Sequence, residues 1–305
     1  MPARLVIHLP DAAALLRFID DGGAVTFGRA PDCDVVLDHA SVSRRHGELA
    51  HAGDHWRVRD LGSKNGVRIG GARVTEGRVA SGQWFSIGDV FCEFNEVTPA
   101  SASAAEARAQ VRRQNSRAWT ERIEAARSHD ELLAGLISAI VELAECQRGF
   151  LLAGNPVHGL KVRACFRSTP DEIAGDRFAG SSGAIMRAMR ERRPIFMTNA
   201  TDQAWLRGRA SVIARGICAL ASVPLMHEGR LLGVAYADSE ESGKVFTELD
   251  EEILGAFAQH AAIAIAATGI ADSLEHLDSW LAVSGAGDAS SAGPAPAWNM
   301  IRPET

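Results

Sequence analysis

Short strand-like runs separated by turn signals fill the first 97 residues, and this pattern limits the fold more than any other feature. The runs are rich in β-branched and aromatic residues and cover residues 4–8, 25–27, 35–37, 47–51, 56–60, 67–69, 84–87 and 90–95. Turn-forming clusters of Gly, Asp and Asn separate them, as at residues 21–23, 52–54, 64–66 and 69–71. Many short strands at such spacing are typical of an antiparallel β-sandwich. We therefore expect residues 1–97 to form an all-β sandwich domain.

The composition changes after residue 97. Residues 98–103 are small and turn-prone, which favours a linker. Residues 104–127 contain Ala, Arg, Glu and Gln throughout, and an approximate helical face is formed by Val111, Ala118, Ile123 and Ala126. We interpret residues 98–127 as a linker and a connecting helix.

A second domain with mixed strands and helices is expected over residues 128–283. It begins with a capping box, Ser128 to Glu131, which precedes an apolar helical face. Strand patterns follow at residues 149–152, 160–166, 194–198, 219–226 and 230–237, with helices predicted at 182–192 and 209–215. The last helix is predicted to start near the box Thr247 to Asp250 and to run to about Val283. Residues 284–305 are rich in Gly, Ala, Ser and Pro and are expected to be a disordered tail.

Composition and charge exclude several classes of protein. The 305 residues are 46% hydrophobic, which is enough for two packed cores. A net charge of −6 argues against a nucleic-acid carrier. The five cysteines are scattered without a Cys-x-x-Cys pair, so neither a disulfide framework nor a zinc knuckle is indicated. No signal peptide is recognised, and the longest apolar stretch, residues 261–267, is far shorter than the roughly 20 residues of a membrane helix. We expect a cytoplasmic protein that does not enter the membrane.

Three groups of residues in the sandwich have the chemistry of a phosphate site. They cover residues 27–29, 41–47 and 60–66, each at a strand end or turn. Arg29 offers a planar guanidinium, and Ser43 and Asn65 offer neutral donors. Gly28 and Gly66 allow the backbone to approach closely. Any one group, taken alone, is usually an ordinary surface turn, so the order and spacing of the three groups have to decide.

The order and separation of these groups resemble the signature of forkhead-associated (FHA) domains, Gly-Arg, then Ser-x-x-His, then Asn-Gly. The resemblance covers roughly residues 4–96 and implies that the domain binds phosphothreonine peptides. It implies that Arg29 and Ser43 hold the phosphate, that Asn65 binds the peptide backbone, and that Arg44 adds a contact.

The same resemblance assigns supporting roles around the site. Gly28, His46 and Gly66 would be structural, with His46 supporting the loops. Lys64 departs from the family pattern, because Thr or Ser often precedes Asn-Gly. The substitution removes a hydroxyl and places a cation near the expected phosphate.

The second domain resembles a GAF domain. The resemblance is carried by residues 148–152, 222–225, 229–238 and 246–254. It implies a central antiparallel sheet flanked by helices, an α+β fold, with a small-ligand pocket on one sheet face. Phe246, Asp250 and Glu251 match part of the cyclic-nucleotide signature of such domains, but Asp238 and Ser239 stand where Asn and Lys would be. This mismatch argues against a cyclic nucleotide.

Other cofactors find little support in the sequence. Bilin attachment would need a Cys-His pair, and neither Cys165 nor Cys218 has an adjacent His. Ligand spacing for haem or a metal is absent among the histidines of this domain, His158, His227 and His260. A pocket could be lined by Phe166, Phe178 and Trp205, but aromatic residues at such positions more often belong to a core. We expect no resident cofactor or metal, and a small GAF ligand of unknown identity stays open.

No catalytic motif emerges, so the sequence predicts an adaptor rather than an enzyme. It has neither a Gly-x-x-x-x-Gly-Lys loop nor a Gly-x-Ser-x-Gly elbow. The predicted partner is a Ser/Thr-phosphorylated protein, with the GAF domain for dimerisation or docking. One alternative is a small-molecule sensor that regulates a partner such as a transcription activator. Another is a nucleic-acid regulator that uses Arg108, Arg112, Arg113 and Arg117, but interspersed glutamates favour a solvated helix instead.

The last helix predicts the oligomeric state. An apolar stripe beyond the expected end of the GAF fold is formed by Ile270, Leu274, Leu277 and Leu281. Close helix approach would be allowed by the small residues Ala261, Ala264, Ala266 and Ala267. We expect a homodimer through the GAF terminal helices, and the alternative is that the extension folds back on its own domain.

Overall fold

Eleven strands form the N-terminal part of the protein. They are β1 (Ala3–His8), β2 (Leu15–Ile19), β3 (Ala24–Gly28), β4 (Val35–Val36), β5 (Gly47–Ala52), β6 (His55–Asp60), β7 (Val67–Ile69), β8 (Ala72–Val74), β9 (Glu76–Val79), β10 (Gln83–Ile87) and β11 (Val90–Glu96). They belong to a computed structural model that describes residues 1–10, 12–155, 159–174, 181–198, 217–241 and 243–284. One sheet has the order β2-β1-β11-β10-β7-β8 and the other has the order β4-β3-β5-β6-β9.

The two sheets enclose an apolar core, which confirms the predicted sandwich. Strand β6 shows the cause, because Trp56 and Val58 are fully buried while Arg57 and Arg59 alternate with them on the outer face. The inward side chains of both sheets meet in one cluster that includes Phe27, Leu49, Phe85 and Phe94. Among the described strands of the sandwich, the short β4 alone runs parallel to its neighbour, β3.

Helix α1 (Pro99–Glu124) corrects two expectations. The residues predicted as a linker, 98–103, are its first turn, because the Thr98 hydroxyl accepts a hydrogen bond from the Ser101 N–H and Pro99 occupies the first helical turn. The predicted apolar face is also wrong. Ile123 is buried, but Val111 is 52% exposed and Ala118 is exposed, so these residues lie on different faces.

The second domain is a five-stranded antiparallel sheet with helices on both faces, as predicted. Its elements are α2 (His129–Leu143), β12 (Arg148–Asn155), β13 (Gly159–Phe166), α3 (Pro170–Ala174), α4 (Ser182–Glu191), β14 (Ile195–Thr198), β15 (Ala219–His227), β16 (Arg230–Ser239) and α5 (Glu248–Ser284). The strand order is β13-β12-β16-β15-β14. Residues from α2 and α5 cover one face, and residues from α4 join a smaller cluster on the other.

Two helices of this domain start where the sequence predicts. The Ser128 hydroxyl accepts from the Glu131 N–H at 3.2 Å, which confirms the capping box. Helix α5 begins one residue after Thr247, whose N–H donates to the Asp250 carboxylate at 2.7 Å. The helix predicted at residues 209–215 and residues 285–305 of the predicted tail lie outside the described residues, as do the side chains of the stripe from Ile270 to Leu281.

The sandwich and the second domain belong to one unit, Met1–Ala266, and touch through the β1–β2 connection. Ala14 exchanges two backbone hydrogen bonds with the start of α5, donating to the Phe246 carbonyl at 2.7 Å and accepting from the Glu248 N–H at 3.1 Å. Arg17 forms a two-pronged salt bridge with the Glu248 carboxylate. Ala13 is buried in the core of the second domain. The connection between β1 and β2 therefore attaches the sandwich to the second domain.

Helix α1 provides a second attachment to this domain. Arg112 donates to the Asp250 carboxylate and to the Leu143 carbonyl, both at 2.9 Å. Asp250 is 1% exposed and also receives Lys244 at 3.2 Å. Burial opposes ionisation of Asp250, but Lys244 and Arg112 outweigh it and hold its pKa below the ordinary value. The cluster fixes α1 to the start of α5.

Candidate functional site

The loops that carry the predicted phosphopeptide residues are joined to one another at one end of the sandwich. Arg29 follows β3, Ser43 and His46 lie between β4 and β5, and Asn65 lies between β6 and β7. The Arg29 N–H donates to the Ser43 carbonyl at 3.0 Å, and the Lys64 N–H donates to the Ser43 hydroxyl at 3.1 Å. The structure thus brings together residues that are up to 36 positions apart, counted from Arg29 to Asn65.

The side chain of Arg29 is anchored to the neighbouring loop through its Nε atom. Its Nε donates to the Val42 carbonyl at 2.7 Å, and the side chain is exposed. Among the described residues it forms no salt bridge with a carboxylate, unlike Arg45, which lies 3.8 Å from Asp32. A guanidinium anchored through Nε keeps the donors of both terminal nitrogens for a ligand. Arg29 is therefore oriented for a two-pronged contact with an oxyanion.

Gly28 is required by the close approach of the neighbouring loop. A Cβ added at Gly28 would lie 2.0 Å from the Arg44 carbonyl oxygen and 2.7 Å from the Cys33 sulfur. The same Arg44 carbonyl accepts from the Ala30 N–H at 2.9 Å. The loop with Ser43 and Arg44 can therefore pack against β3 only if position 28 has no side chain.

The Ser43 hydroxyl can still donate one hydrogen bond. Its oxygen already accepts from the Lys64 N–H, so the hydroxyl proton can be donated to an anion. The exposed side chains of Arg44 and Lys64 flank it. This gives the site two further cations beside Arg29.

His46 supports the site from inside. It is fully buried, its Nδ1 accepts from the Ser43 N–H at 3.0 Å, and its Nε2 lies 3.1 Å from the Gly66 carbonyl. Because Nδ1 accepts, the ring is neutral and Nε2 carries the proton that it donates to Gly66. Burial lowers the pKa of His46, although the Gly66 carbonyl partly offsets this. The ring is thus a neutral link between two of the loops.

Asn65 occupies a turn whose geometry depends on residues that the sequence did not single out. Its Nδ2 donates to the Ser41 carbonyl at 2.7 Å, and the Ser41 hydroxyl accepts from the Asp89 N–H at 2.8 Å. The buried Ser63 hydroxyl accepts from the Gly66 N–H at 2.8 Å. The spacing of Asp60 and Ser63 is a signal that could have revealed the turn, because an Asp often accepts from a nearby backbone N–H, and here the distance is 2.9 Å.

Comparison with protein families agrees with this geometry. A family model described as FHA domain matches residues 25–88, and one described as GAF domain matches residues 126–266. The chain contains an FHA domain followed by a GAF domain. The FHA match includes Arg29, Ser43 and Asn65.

Two curated relatives each match about a quarter of the chain. The oxoglutarate dehydrogenase inhibitor of Corynebacterium jeikeium is 36% identical over 90 residues, which are 26% of this chain and 62% of that protein. The glycogen accumulation regulator GarA of Mycolicibacterium smegmatis is 37% identical over 90 residues, 26% of this chain and 57% of that protein. The matched region thus spans about three fifths of each relative. A solved structure of Mycobacterium tuberculosis EmbR with a low-affinity phosphopeptide is 29% identical and covers 30% of this chain and 24% of that chain, with a TM-score of 0.27.

The GAF residues that were compared with known ligand signatures lie in different surroundings. Phe246 is buried in the helix-side core and Asp250 belongs to the cluster with Arg112. Phe166 also packs against the helix-side core. His158, Phe178 and Trp205 lie outside the described residues.

The other face of the GAF sheet carries buried polar groups. Asp238, 2% exposed, accepts from the Arg148 Nε at 2.7 Å, and Tyr236 accepts from the Ser181 N–H at 3.1 Å. Burial raises the pKa of Asp238, and Arg148 offsets only part of this. Ser222, which pairs with Tyr236 across the ladder, is fully buried, and its hydroxyl has no hydrogen-bond partner among the described residues.

The described residues also bear on membrane insertion and metal binding. None of the helices described is long and apolar enough to cross a membrane. Within the same residues, no group of three or more His, Cys, Asp or Glu side chains could hold a metal ion.

Proposed function

We propose that this protein is a non-enzymatic signalling adaptor whose FHA domain binds phosphothreonine in a partner protein. The observation that supports this most is the meeting of Arg29, Ser43 and Asn65, which come from three separate loops joined by hydrogen bonds. Each would take the role that the FHA family pattern implies. Arg29 would bind the phosphate through its terminal nitrogens, and Ser43 would donate a hydrogen bond to the phosphate from its hydroxyl. Asn65 would bind the peptide backbone.

The electrostatics of the loops support an anionic ligand. Arg29, Arg44 and Lys64 are exposed, and among the described residues none forms a salt bridge. Three unneutralised cations around a neutral hydroxyl repel one another and are stabilised when a dianionic phosphate binds. The net charge of the whole chain is −6, so this positive region is local.

Calorimetry with matched peptides tests the proposal. The full chain is titrated with a phosphothreonine peptide from a library screen, with its unphosphorylated form and with its phosphoserine form. We expect binding of the phosphothreonine peptide, no measurable binding without phosphate, and weaker binding of phosphoserine. Because one buried methyl group contributes about 0.8 kcal/mol, the threonine preference should be about fourfold or more. Equal binding of the phosphorylated and unphosphorylated peptides would refute the proposal.

We further propose that the GAF domain pairs two copies of the chain through its terminal helices. Large exposed apolar side chains occur on both helices that flank the domain, Val111 on α1 at 52% and Ile263 on α5 at 49%. The sequence continues this character along α5 with the stripe from Ile270 to Leu281. A two-fold pair would present two FHA sites, and a doubly phosphorylated partner would bind with avidity.

A second candidate function, small-molecule sensing, is favoured by the Ser222 hydroxyl. A buried hydroxyl without a partner is costly, and a ligand against this face of the sheet would satisfy it. Native mass spectrometry of the purified full chain tests this idea. A retained small molecule that is lost in Ser222→Ala would support sensing, whereas an unmodified mass in both proteins would favour the adaptor role alone.

A further inference from the structure

Two arginines lie side by side on the outer face of the six-stranded sheet, next to the Asn65 turn. Arg68 on β7 and Arg73 on β8 are direct partners across the antiparallel ladder. The hairpin that joins the strands turns at Gly70 and Gly71, both with positive φ. Side chains that face each other in this way lie about 5 Å apart at Cβ. The fold therefore places two arginine side chains next to each other on this face of the sheet.

Arg73 lies against the peptide-binding turn. A Cβ added at Gly66 would lie 2.4 Å from the Arg73 Nε and 2.9 Å from its Cζ, so the guanidinium covers the backbone of the residue that follows Asn65. Gly66 is also the residue whose carbonyl accepts from His46. The positive charge of Arg73 contributes to the lowered pKa of His46, after the larger effect of burial. Arg73 thus belongs to the same end of the sandwich as the candidate phosphate site.

Nothing described in the protein neutralises this pair. Among the described residues, neither Arg68 nor Arg73 lies within salt-bridge distance of a carboxylate, and Arg73 is exposed. A comparable pair in the other sheet behaves differently. Arg57 faces Arg78 across the β6–β9 ladder, but Arg57 is 2.9 Å from Glu76. Like charges directly opposite each other destabilise a sheet. At Arg68 and Arg73 none of the described carboxylates offsets this repulsion.

We propose that Arg68 and Arg73 form a second anion-binding position that selects an acidic side chain near the phosphothreonine of the bound peptide. This inference rests on the proposed function, since it adds a specificity determinant to the same peptide site. The chemistry is a carboxylate or a second phosphate, because a guanidinium fork accepts both. Arg68 and Arg73 are separate from the residues that hold the first phosphate. They therefore set the choice among phosphopeptides and contribute little to the affinity for phosphothreonine itself.

The test measures affinities of the full chain for a matched series of phosphothreonine peptides. One peptide has neutral flanks, and the others have a single glutamate placed in turn at each flanking position. A last peptide carries phosphoserine at the best of these positions and distinguishes a carboxylate from a second phosphate. We expect one position at which glutamate tightens binding by roughly three- to fivefold, with a larger gain for the phosphate. The gain should shrink in about 0.5 M salt, because the pair is exposed.

Substitutions of the two arginines test whether they cause the preference for an acidic peptide residue. Arg73→Gln, and more fully Arg68→Gln with Arg73→Gln, should abolish the preference while changing the affinity for the neutral peptide by less than about twofold. Arg78→Gln is the matched control and should keep the preference. If the double variant weakens all peptides equally, the arginines are structural and the inference is wrong. If wild type binds the neutral peptide but prefers no acidic position, the inference fails and the proposed function stands. Absence of any phosphothreonine binding overturns both.

Discussion

The His46 Nε2–H donates to the Gly66 carbonyl at 3.1 Å and links the loop of Ser43 to the turn of Asn65. Replacing His46 with Ala leaves the part-buried Ser43 N–H and the Gly66 carbonyl without this partner. Each loss costs roughly 1–3 kcal/mol. We therefore expect the unfolding free energy of the FHA domain, measured by chemical denaturation, to fall by about 2–4 kcal/mol.

His55→Ala is the matched control, because His55 contacts only the exposed Asp54 in the described contacts. It should change the unfolding free energy by less than about 0.5 kcal/mol. Equal effects of the two substitutions would show that His46 does not link the loops.

Acid should destabilise the FHA domain because of His8. Burial lowers the pKa of His8 to about 4, with Glu93 offsetting part of the shift, and the side chain stacks on Trp84. In the unfolded chain His8 titrates near its ordinary value of 6.5. The unfolded state therefore binds more protons between these values. Stability from this group is complete above about pH 6.5 and is lost as the pH falls towards 4, by up to about 1.4 kcal/mol per pH unit.

Denaturation curves at several pH values check this. His8→Phe keeps a ring against Trp84 and removes the titration, so its unfolding free energy should depend less on pH over the same range. His46 acts in the same direction, so some dependence should remain. Identical pH dependence in wild type and variant would contradict the assignment.

Gly28→Ala should disrupt the phosphate site by steric overlap. The new methyl group would meet the Arg44 carbonyl oxygen at 2.0 Å, and the backbone has to move. We expect a loss of roughly 2–4 kcal/mol in the unfolding free energy. Gly135→Ala is the control, because Gly135 lies in α2 with nothing within 4 Å of the added Cβ. It should stabilise the protein by about 0.5–1 kcal/mol. A stable, binding-competent Gly28→Ala protein would refute the packing argument.

Arg29→Ala should weaken phosphothreonine-peptide binding by on the order of 100-fold, because two charge-assisted hydrogen bonds are lost. Arg29→Lys keeps the charge without the planar fork and should give an intermediate affinity. Arg45→Ala is the control for general charge and should have little effect, since Arg45 is near Asp32. Unfolding curves of all three variants should match wild type. Wild-type affinity in Arg29→Ala by calorimetry would remove Arg29 from the site.

Leu274→Asp combined with Leu277→Asp should break the proposed dimer. Both residues lie on the apolar stripe of α5, and two carboxylates there would have to be buried at the interface. Light scattering of the full chain should give the dimer mass for wild type and the monomer mass for the variant. Ser279→Asp, about half a turn away from the stripe on a helical wheel, should remain dimeric. A monomer mass for wild type would rule out the pairing.

The sequence predicted the strands that carry the strongest alternation and missed those without it. Strand β7 matches the prediction to the residue, because Val67 and Ile69 alternate between clear turns. Strand β2 was missed, since its residues Leu15–Ile19 lack a polar alternation and stand in an Ala- and Leu-rich stretch that suits a helix equally well. The start of α1 was missed because the Thr98 hydroxyl caps a helix whose first turn has the composition of a linker.

At the candidate site, the sequence pattern singles out the proposed phosphopeptide residues but not the residues that support them. Arg29, Ser43 and Asn65 stand in a recognisable order along the chain. The contribution of Ser41 depends on its hydrogen bonds with Asn65 and Asp89, which are 24 and 48 positions away. The proximity of Arg73 to Gly66 follows from the β7–β8 hairpin, and only the folded backbone reveals it.

The short bridge at Ala14 limits how these domains can be exchanged in evolution or in the laboratory. An FHA domain from another protein would need a small residue at the position of Ala13, a free backbone at Ala14 and a cation at Arg17 to seat on this GAF domain. A graft that carried only the phosphate-binding loops would satisfy none of these demands. The transplantable piece is therefore the pair of domains with α1 between them, and a change of peptide specificity is more easily made in the loops than by swapping the whole sandwich.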